Sequence, residues 1–264
     1  MTRGVELDRE LLNRGFPGSN WGNLGLWSDA QTYPAACEAL ATRLAERAQL
    51  LPGCSVLDVG FGHGDQLLLW KRRFQAGRIA GIEVDEAGVA EARRKMAAFD
   101  DVKLGIGDGA WTERFDRVLA LDCAYHFDPR SRVFERALQA LNPGGVLALT
   151  DLVLQNDREG WIRSRLARAC AIPAENLLTP QAYVRELEEL GFTDVSVEFL
   201  DDAVLGGFSR FALRHLRQAG LRACSAGGLK ILATAAIGAW LRRRNRVHYV
   251  LVTARRSSAI MVSR

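Results

Sequence analysis

Two hydrophobic rhythms alternate along this chain. Short, nearly continuous apolar runs read as buried strands, and between them apolar residues return every three or four positions, as on one face of a helix. Ser55–Val59, Arg78–Ile82, Val102–Ile106, Phe115–Leu121 and Val146–Thr150 are the first five predicted strands. Between them fall a helix carrying Leu67, Leu68, Leu69 and Trp70, a second over Glu86–Ala98, and a third with Val133, Phe134, Ala137, Leu138 and Leu141 at helical spacing. Asp128 is placed to cap this third helix, with Pro129 in its first turn. Asn142-Pro-Gly-Gly145 predicts a tight turn into the fifth strand. Thr179-Pro180 opens a helix with Tyr183, Leu187 and Leu190 on one side, ending before Gly191; strands follow near Val195–Phe199 and His248–Thr253. Such alternation makes an α/β fold, a largely parallel sheet covered by helices on both faces.

Two regions depart from the rhythm. Gly15–Trp27 is rich in glycine and aromatics and predicts a loop or lid, ahead of a helix over Pro34–Gln49 with Cys37, Leu40, Leu44 and Ala48 inward. Residues 203–244 are helical in pattern throughout. The chain therefore divides into an N-terminal lid and helix (1–50), an α/β core (51–202), a helical cap (203–244) and a final strand with tail (245–264), together one compact unit. Its longest apolar stretch, Ile231–Leu241, is too short to span a bilayer, so membrane insertion is not expected, while peripheral contact stays open. Met1–Asp8 mixes charge with apolar residues and predicts no secretory leader.

Composition narrows the partners. The 264 residues are 48% hydrophobic and 25% charged, which suits a globular chain with a full core. A net charge of +4, from 35 basic and 31 acidic residues, is a poor argument for a polyanionic partner, and no nucleic acid is expected. Lys71–Arg73 and Arg242–Arg244 with Arg246 read as solvated helix ends. Cys37, Cys54, Cys123, Cys170 and Cys224 are scattered and odd in number, which predicts reduced thiols in a cytoplasmic protein and neither a disulfide framework nor a zinc site. Oligomeric state is not legible.

Chemistry gathers where strands end. Asp58-Val-Gly60-Phe-Gly62-His-Gly64 sets three glycines between a strand and a helix, so that backbone can approach a ligand without an intervening Cβ. The crevice beyond the strand C-termini is where ligands sit in such sheets. A carboxylate at Asp58 would repel a pyrophosphate but could pair with a cationic amino-acid group. Glu83, ending the second strand, can accept both hydroxyls of a ribose, and Asp108, after the third, an exocyclic adenine amine.

These motifs, in this order, resemble the class I S-adenosylmethionine-dependent methyltransferases over roughly residues 16–253. The resemblance implies a Rossmann-like sheet with an N-terminal lid and a helical cap before the last strand. It also implies S-adenosyl-L-methionine as cofactor and S-adenosyl-L-homocysteine as product. Carried over, Asp58, Gly60, Gly62 and Gly64 hold the methionyl part, Glu83 the ribose, and Asp108 with Gly109 the adenine. Asn142–Val146 matches the family's Pro-Gly-Gly motif. Phe61 and His63 depart from the usual residues of the loop without removing a glycine.

The segment Asp122-Cys-Ala-Tyr-His-Phe-Asp128 follows the fourth strand and should face the same crevice. It resembles the small-molecule subset of the family, including natural-product O-methyltransferases and phosphoethanolamine or sterol-like relatives, that carries a histidine there. His126 is the candidate general base, Asp151 a group that could orient it, and Tyr125 a pocket residue. Asp122, Trp21 and Tyr33 are expected at the cofactor, with Asn20 and Trp27 also on the lid. Phe208, Phe211, Leu216, Leu229, Ile231 and Trp240 would give the cap an apolar acceptor surface. Asp122, Asp128 and Asp151 do not specify a metal site, and no metal is expected. O-methylation of a small hydrophobic molecule leads; N- or C-methylation is the alternative, ahead of an NAD-type oxidoreductase or a macromolecule methyltransferase.

Overall fold

The computed structural model describes residues 8–107, 112–156, 160–219, 225–244 and 246–258. Seven strands form one sheet: β1 (Val56–Val59), β2 (Ile79–Glu83), β3 (Val102–Ile106), β4 (Phe115–Ala120), β5 (Leu141–Leu154), β6 (Phe192–Phe199) and β7 (Val247–Arg256). Their order is β3-β2-β1-β4-β5-β7-β6. Pairing is parallel from β3 through β5, and β7 runs antiparallel between β5 and β6. The winding direction reverses between β1 and β4. That switch point opens a crevice at the C-terminal ends of these two strands, between the segments that follow them.

Helices cover both faces. On one lie α2 (Tyr33–Arg47), α3 (Asp65–Arg72) and α4 (Glu86–Lys95), and with them the later helices α8 (Gly207–Ala219) and α9 (Ala226–Arg244). On the other, α5 (Arg130–Ala140) and α7 (Pro180–Glu189) pack against β1, β4 and β5. β5 serves both cores because strand side chains alternate. Leu147, Leu149 and Val153 face α5 and α7, whereas Ala148, Leu152 and Leu154 face the other way.

Most predicted starts have a visible cause. Thr32, Asp85 and Thr179 accept from helix N–H groups at the heads of α2, α4 and α7. Asp128 does not cap: α5 begins at Arg130 with Pro129 in the cap position and no side-chain bond. The Pro-Gly-Gly turn proves to be an irregularity inside β5, where Gly144 takes φ +77° and the register against β4 shifts. Two helices had no counterpart in the hydrophobic pattern, the short α1 (Arg9–Leu12) and α6 (Gly160–Cys170). The helical reading of 203–244 resolves into a π-helical turn, Asp202–Gly206, followed by α8 and α9.

Candidate active site

β1 delivers the glycine loop. Gly62 takes φ +58°, and a Cβ built there would meet no atom within 4 Å, so the side where a side chain would stand is open. Gly64 is different. At φ +87° it begins α3, and a Cβ would lie 2.7 Å from that of Ala92, so this glycine serves the contact between α3 and α4. Glu83 fixes the loop's neighbour: its Oε2 accepts from Gly62 N at 2.7 Å, and its Oε1 from Val84 N at 2.7 Å and Asp85 N at 3.1 Å. The half-buried carboxylate and the open side of Gly62 are thus neighbours at the ends of β1 and β2. Asp108 and Gly109 lie outside the described residues.

Asp58 requires a correction. Its side chain is fully buried, and its oxygens accept from Gln66 Nε2 at 2.9 and 3.0 Å and from Trp70 Nε1 at 2.6 Å. It ties α3 to β1 and offers no surface to a ligand's ammonium. Burial pushes its pKa up to about 7, against the pull of the Trp70 and Gln66 hydrogen bonds.

β4 delivers the second wall. Asp122, at its end, has φ +56°, an unfavourable conformation for a residue with a Cβ. Its N–H donates to Thr150 Oγ1 at 2.7 Å. Its Oδ2 accepts from Leu24 N at 2.8 Å, and its Oδ1 lies 2.8 Å from the Tyr249 hydroxyl and 3.0 Å from that of Tyr125. Burial raises its pKa despite these donors. Tyr249, wholly buried on β7, escaped the sequence reading because it sits in a strand pattern with no motif around it.

His126 ends a 3-10 turn, Ala124–His126. Its Nδ1 lies 3.2 Å from the Ala171 carbonyl, which can only accept, so Nδ1 carries the hydrogen and Nε2 is the acceptor of the neutral ring. Burial lowers the ring's pKa below its ordinary 6.5, while the Ala171 bond and the charge of Asp122 oppose this. Tyr125 packs edge-on against the ring, with centroids 4.5 Å apart.

Asp151 does not orient His126 directly, because the alternation of β5 turns it to the opposite face from Thr150. There Asp151 Oδ2 accepts from Tyr183 OH at 2.8 Å and Arg130 Nη1 at 3.2 Å, and Arg130 also donates to Glu186. The same Arg130 Nη1 donates to the Asn176 carbonyl at 2.7 Å. Asn176, 3% exposed, donates through Nδ2 to the carbonyls of Tyr125 (3.1 Å) and Phe127 (2.6 Å), one on each side of His126. Asn176 and Arg130 carried no motif, and only the fold brings them together.

The N-terminal segment crosses these strand ends. Arg9 donates to His63 Nδ1 at 2.6 Å, Asn20 N to Asp65 Oδ1 at 3.2 Å, Leu24 N to Asp122, and Trp27 N to Ala203 O at 2.8 Å. The unusual His63 is therefore the glycine loop's hold on this segment. Trp27 stacks on Phe211 of α8 at 4.4 Å. Tyr33 is another correction: it is 1% exposed, donates to Asn23 O at 2.8 Å, and anchors the segment from within the core. Trp21 is buried to 8% exposure. Of the cap residues, Phe208, Phe211, Leu216 and Ile231 are buried, but Leu229 and Trp240 are exposed and do not line an interior surface.

Residues 27–197 match the family described as "Methyltransferase domain". The chain belongs to the methyltransferase family. Its place is among the class I S-adenosylmethionine-dependent methyltransferases. It is 34% identical over 212 residues to erythromycin 3''-O-methyltransferase of Saccharopolyspora erythraea, covering 74% of this chain and 69% of that one. It is 30% identical over 221 residues to sarcosine/dimethylglycine N-methyltransferase of Halorhodospira halochloris, covering 74% and 75%. A solved structure of a putative sarcosine dimethylglycine methyltransferase from Galdieria sulphuraria shares the fold at a TM-score of 0.78 and 16% identity, over 95% of this chain and 97% of that one.

Proposed function

We propose that this methyltransferase acts on a hydroxyl of a small hydrophobic molecule, with His126 as general base. The observation that carries the reading is the hydrogen bond from His126 Nδ1 to Ala171 O, which leaves Nε2 as proton acceptor. The likeness to an O-methyltransferase supports the choice of oxygen. S-adenosylmethionine, when bound, supplies an electrophilic methyl on a sulfonium.

The chain's residues then have distinct tasks. Gly62 and Glu83 receive the cofactor, Gly60 lets the loop turn against Cys123, and Asp108 and Gly109 are expected beyond them. Asp58 acts through Gln66 and Trp70, holding α3 and the glycine loop in place. Asp122 joins the N-terminal segment, Tyr125 and Tyr249 into one wall that excludes water. His126 Nε2 takes the hydroxyl proton of the acceptor, and the lowered pKa keeps the ring neutral at neutral pH. Asn176 holds the carbonyls on either side of His126, and Asp151 contributes through Arg130.

A second reading, methylation of an amine, is favoured by the 30% identity to an N-methyltransferase. A neutral amine needs no proton removed before attack, so the two readings separate on one variant. With a hydroxyl acceptor, His126→Asn lowers kcat roughly a hundred- to ten-thousand-fold, and the wild-type rate rises with pH through a value below 6.5 to a plateau. A loss of less than about threefold would reject His126 as base and favour the amine.

A further inference from the structure

The net charge of +4 conceals a segregation. None of the 62 residues from Ala203 to Arg264 is acidic, whereas twelve are Lys or Arg, so the first 202 residues carry −8 and the remainder +12. α6, α8 and α9 likewise contain no acidic residue. Exposed cations stand on all three, among them Arg165 and Arg168 on α6, Arg214 and Arg217 on α8, and Lys230 and Arg243 on α9.

α9 adds an apolar face that nothing in the described fold covers. Its inner side, with Ile231, Ala235 and Gly238, is buried, and Ser209 Oγ of α8 donates to Ala235 O at 2.8 Å. Its outer side carries Leu229, Leu232, Ala233, Ala236 and Trp240, a stripe at helical spacing, all exposed. Leu229 is 58% exposed, Leu232 40% and Trp240 41%. Trp161 of α6, 57% exposed, meets Trp240 with ring centroids 6.5 Å apart, and the Arg165 guanidinium lies 5.7 Å from the Trp161 ring.

We propose that the outer face of α9, with Trp161 of α6, docks on an anionic membrane surface. Aliphatic side chains would enter the acyl boundary, the tryptophans would sit at headgroup depth, and the cations would meet lipid phosphates. No described helix is long and apolar enough to cross a membrane, so α9 lies on the surface. A second copy of the chain fits less well, because two like faces would bring cation against cation. An acidic protein would match the charge but leaves the leucine stripe without an apolar phase to enter.

The experiment is sedimentation of the full chain with vesicles of phosphatidylcholine alone or mixed equally with phosphatidylglycerol, alongside soluble polyglutamate and light scattering without lipid. Binding is expected only to the mixed vesicles, with a blue shift in tryptophan emission, and is weakened by salt. Trp240→Ser is expected to lower it severalfold, and Lys230→Glu with Arg243→Glu roughly tenfold or more. All three residues are exposed, and unchanged melting temperatures check that the variants fold. Absence of vesicle binding, or equal binding to both vesicle types, would overturn the proposal. So would a dimer abolished by Trp240→Ser, or equally strong polyglutamate binding that ignores that substitution.

Discussion

Gly62 and Gly64 stand two residues apart with positive φ, yet their substitution by alanine has separable consequences. At Gly62 an added methyl meets no atom within 4 Å, so the folding cost is the left-handed backbone alone, roughly 1–2 kcal/mol. In a chain of this size that lowers the melting temperature by roughly 2–8 °C. The methyl would project where the cofactor approaches the peptide, so S-adenosylmethionine affinity should fall at least about tenfold, or 1.4 kcal/mol. At Gly64 the Cβ would be 2.7 Å from Ala92 Cβ and 2.9 Å from its Cα, so α3 and α4 must separate. Overpacking adds roughly 1–3 kcal/mol to the same backbone term. Calorimetric titration with S-adenosylmethionine and thermal melts of both variants check this. Wild-type affinity in Gly62→Ala would refute the assignment of the loop. Equal melting losses in the two variants would refute the distinction between an open and a packed glycine.

Three further outcomes follow from the buried polar groups. Asn176→Ala orphans the carbonyls of Tyr125 and Phe127, which costs roughly 2–4 kcal/mol in urea unfolding. Its kcat should fall while the cofactor's dissociation constant holds, and a changed cofactor affinity with intact kcat would contradict its role beside His126. Arg130→Leu leaves Asp151 and the Glu186 bond without their cation and should destabilise by roughly 3–5 kcal/mol, well beyond Asp151→Asn; equal losses would argue against the network. Asp58 titrates upward on folding, to about 7, so the folded state holds a proton the unfolded chain releases. Its contribution is therefore present at acid pH and lost as pH rises from about 4 to about 7, to the extent of about 4 kcal/mol. Stability of Asp58→Asn should fall less over that window, and a parallel pH curve would show that Asp58 stays ionised.

The sheet was legible because its strands are buried on both faces and stand out as apolar runs. α6 was not, since arginines interrupt the few apolar residues, Leu166 and Ala167, that it buries. Motif order located the crevice but not which way each acid turns. Strand alternation distinguishes Asp151 from Thr150, yet only the partners Arg130 and Tyr183 reveal which face is which. Asp58 was misread as a ligand contact because the donors that satisfy it, Gln66 and Trp70, come from the next helix four residues apart. Asn176 and Tyr249 were invisible because their hydrogen-bond partners lie on chain segments remote in sequence. The same holds for α9: its pattern announces an apolar helix but not that half of it faces outward.

The central claim, transfer of a methyl group from S-adenosylmethionine to a small molecule, is tested most directly with a labelled methyl. The purified chain, labelled S-adenosylmethionine and fractionated cell extract are incubated together, and wild type is compared with Gly62→Ala. Label is expected in small organic-soluble molecules with wild type and much less with the variant. Label confined to protein or RNA, or equal transfer by the variant, would contradict it.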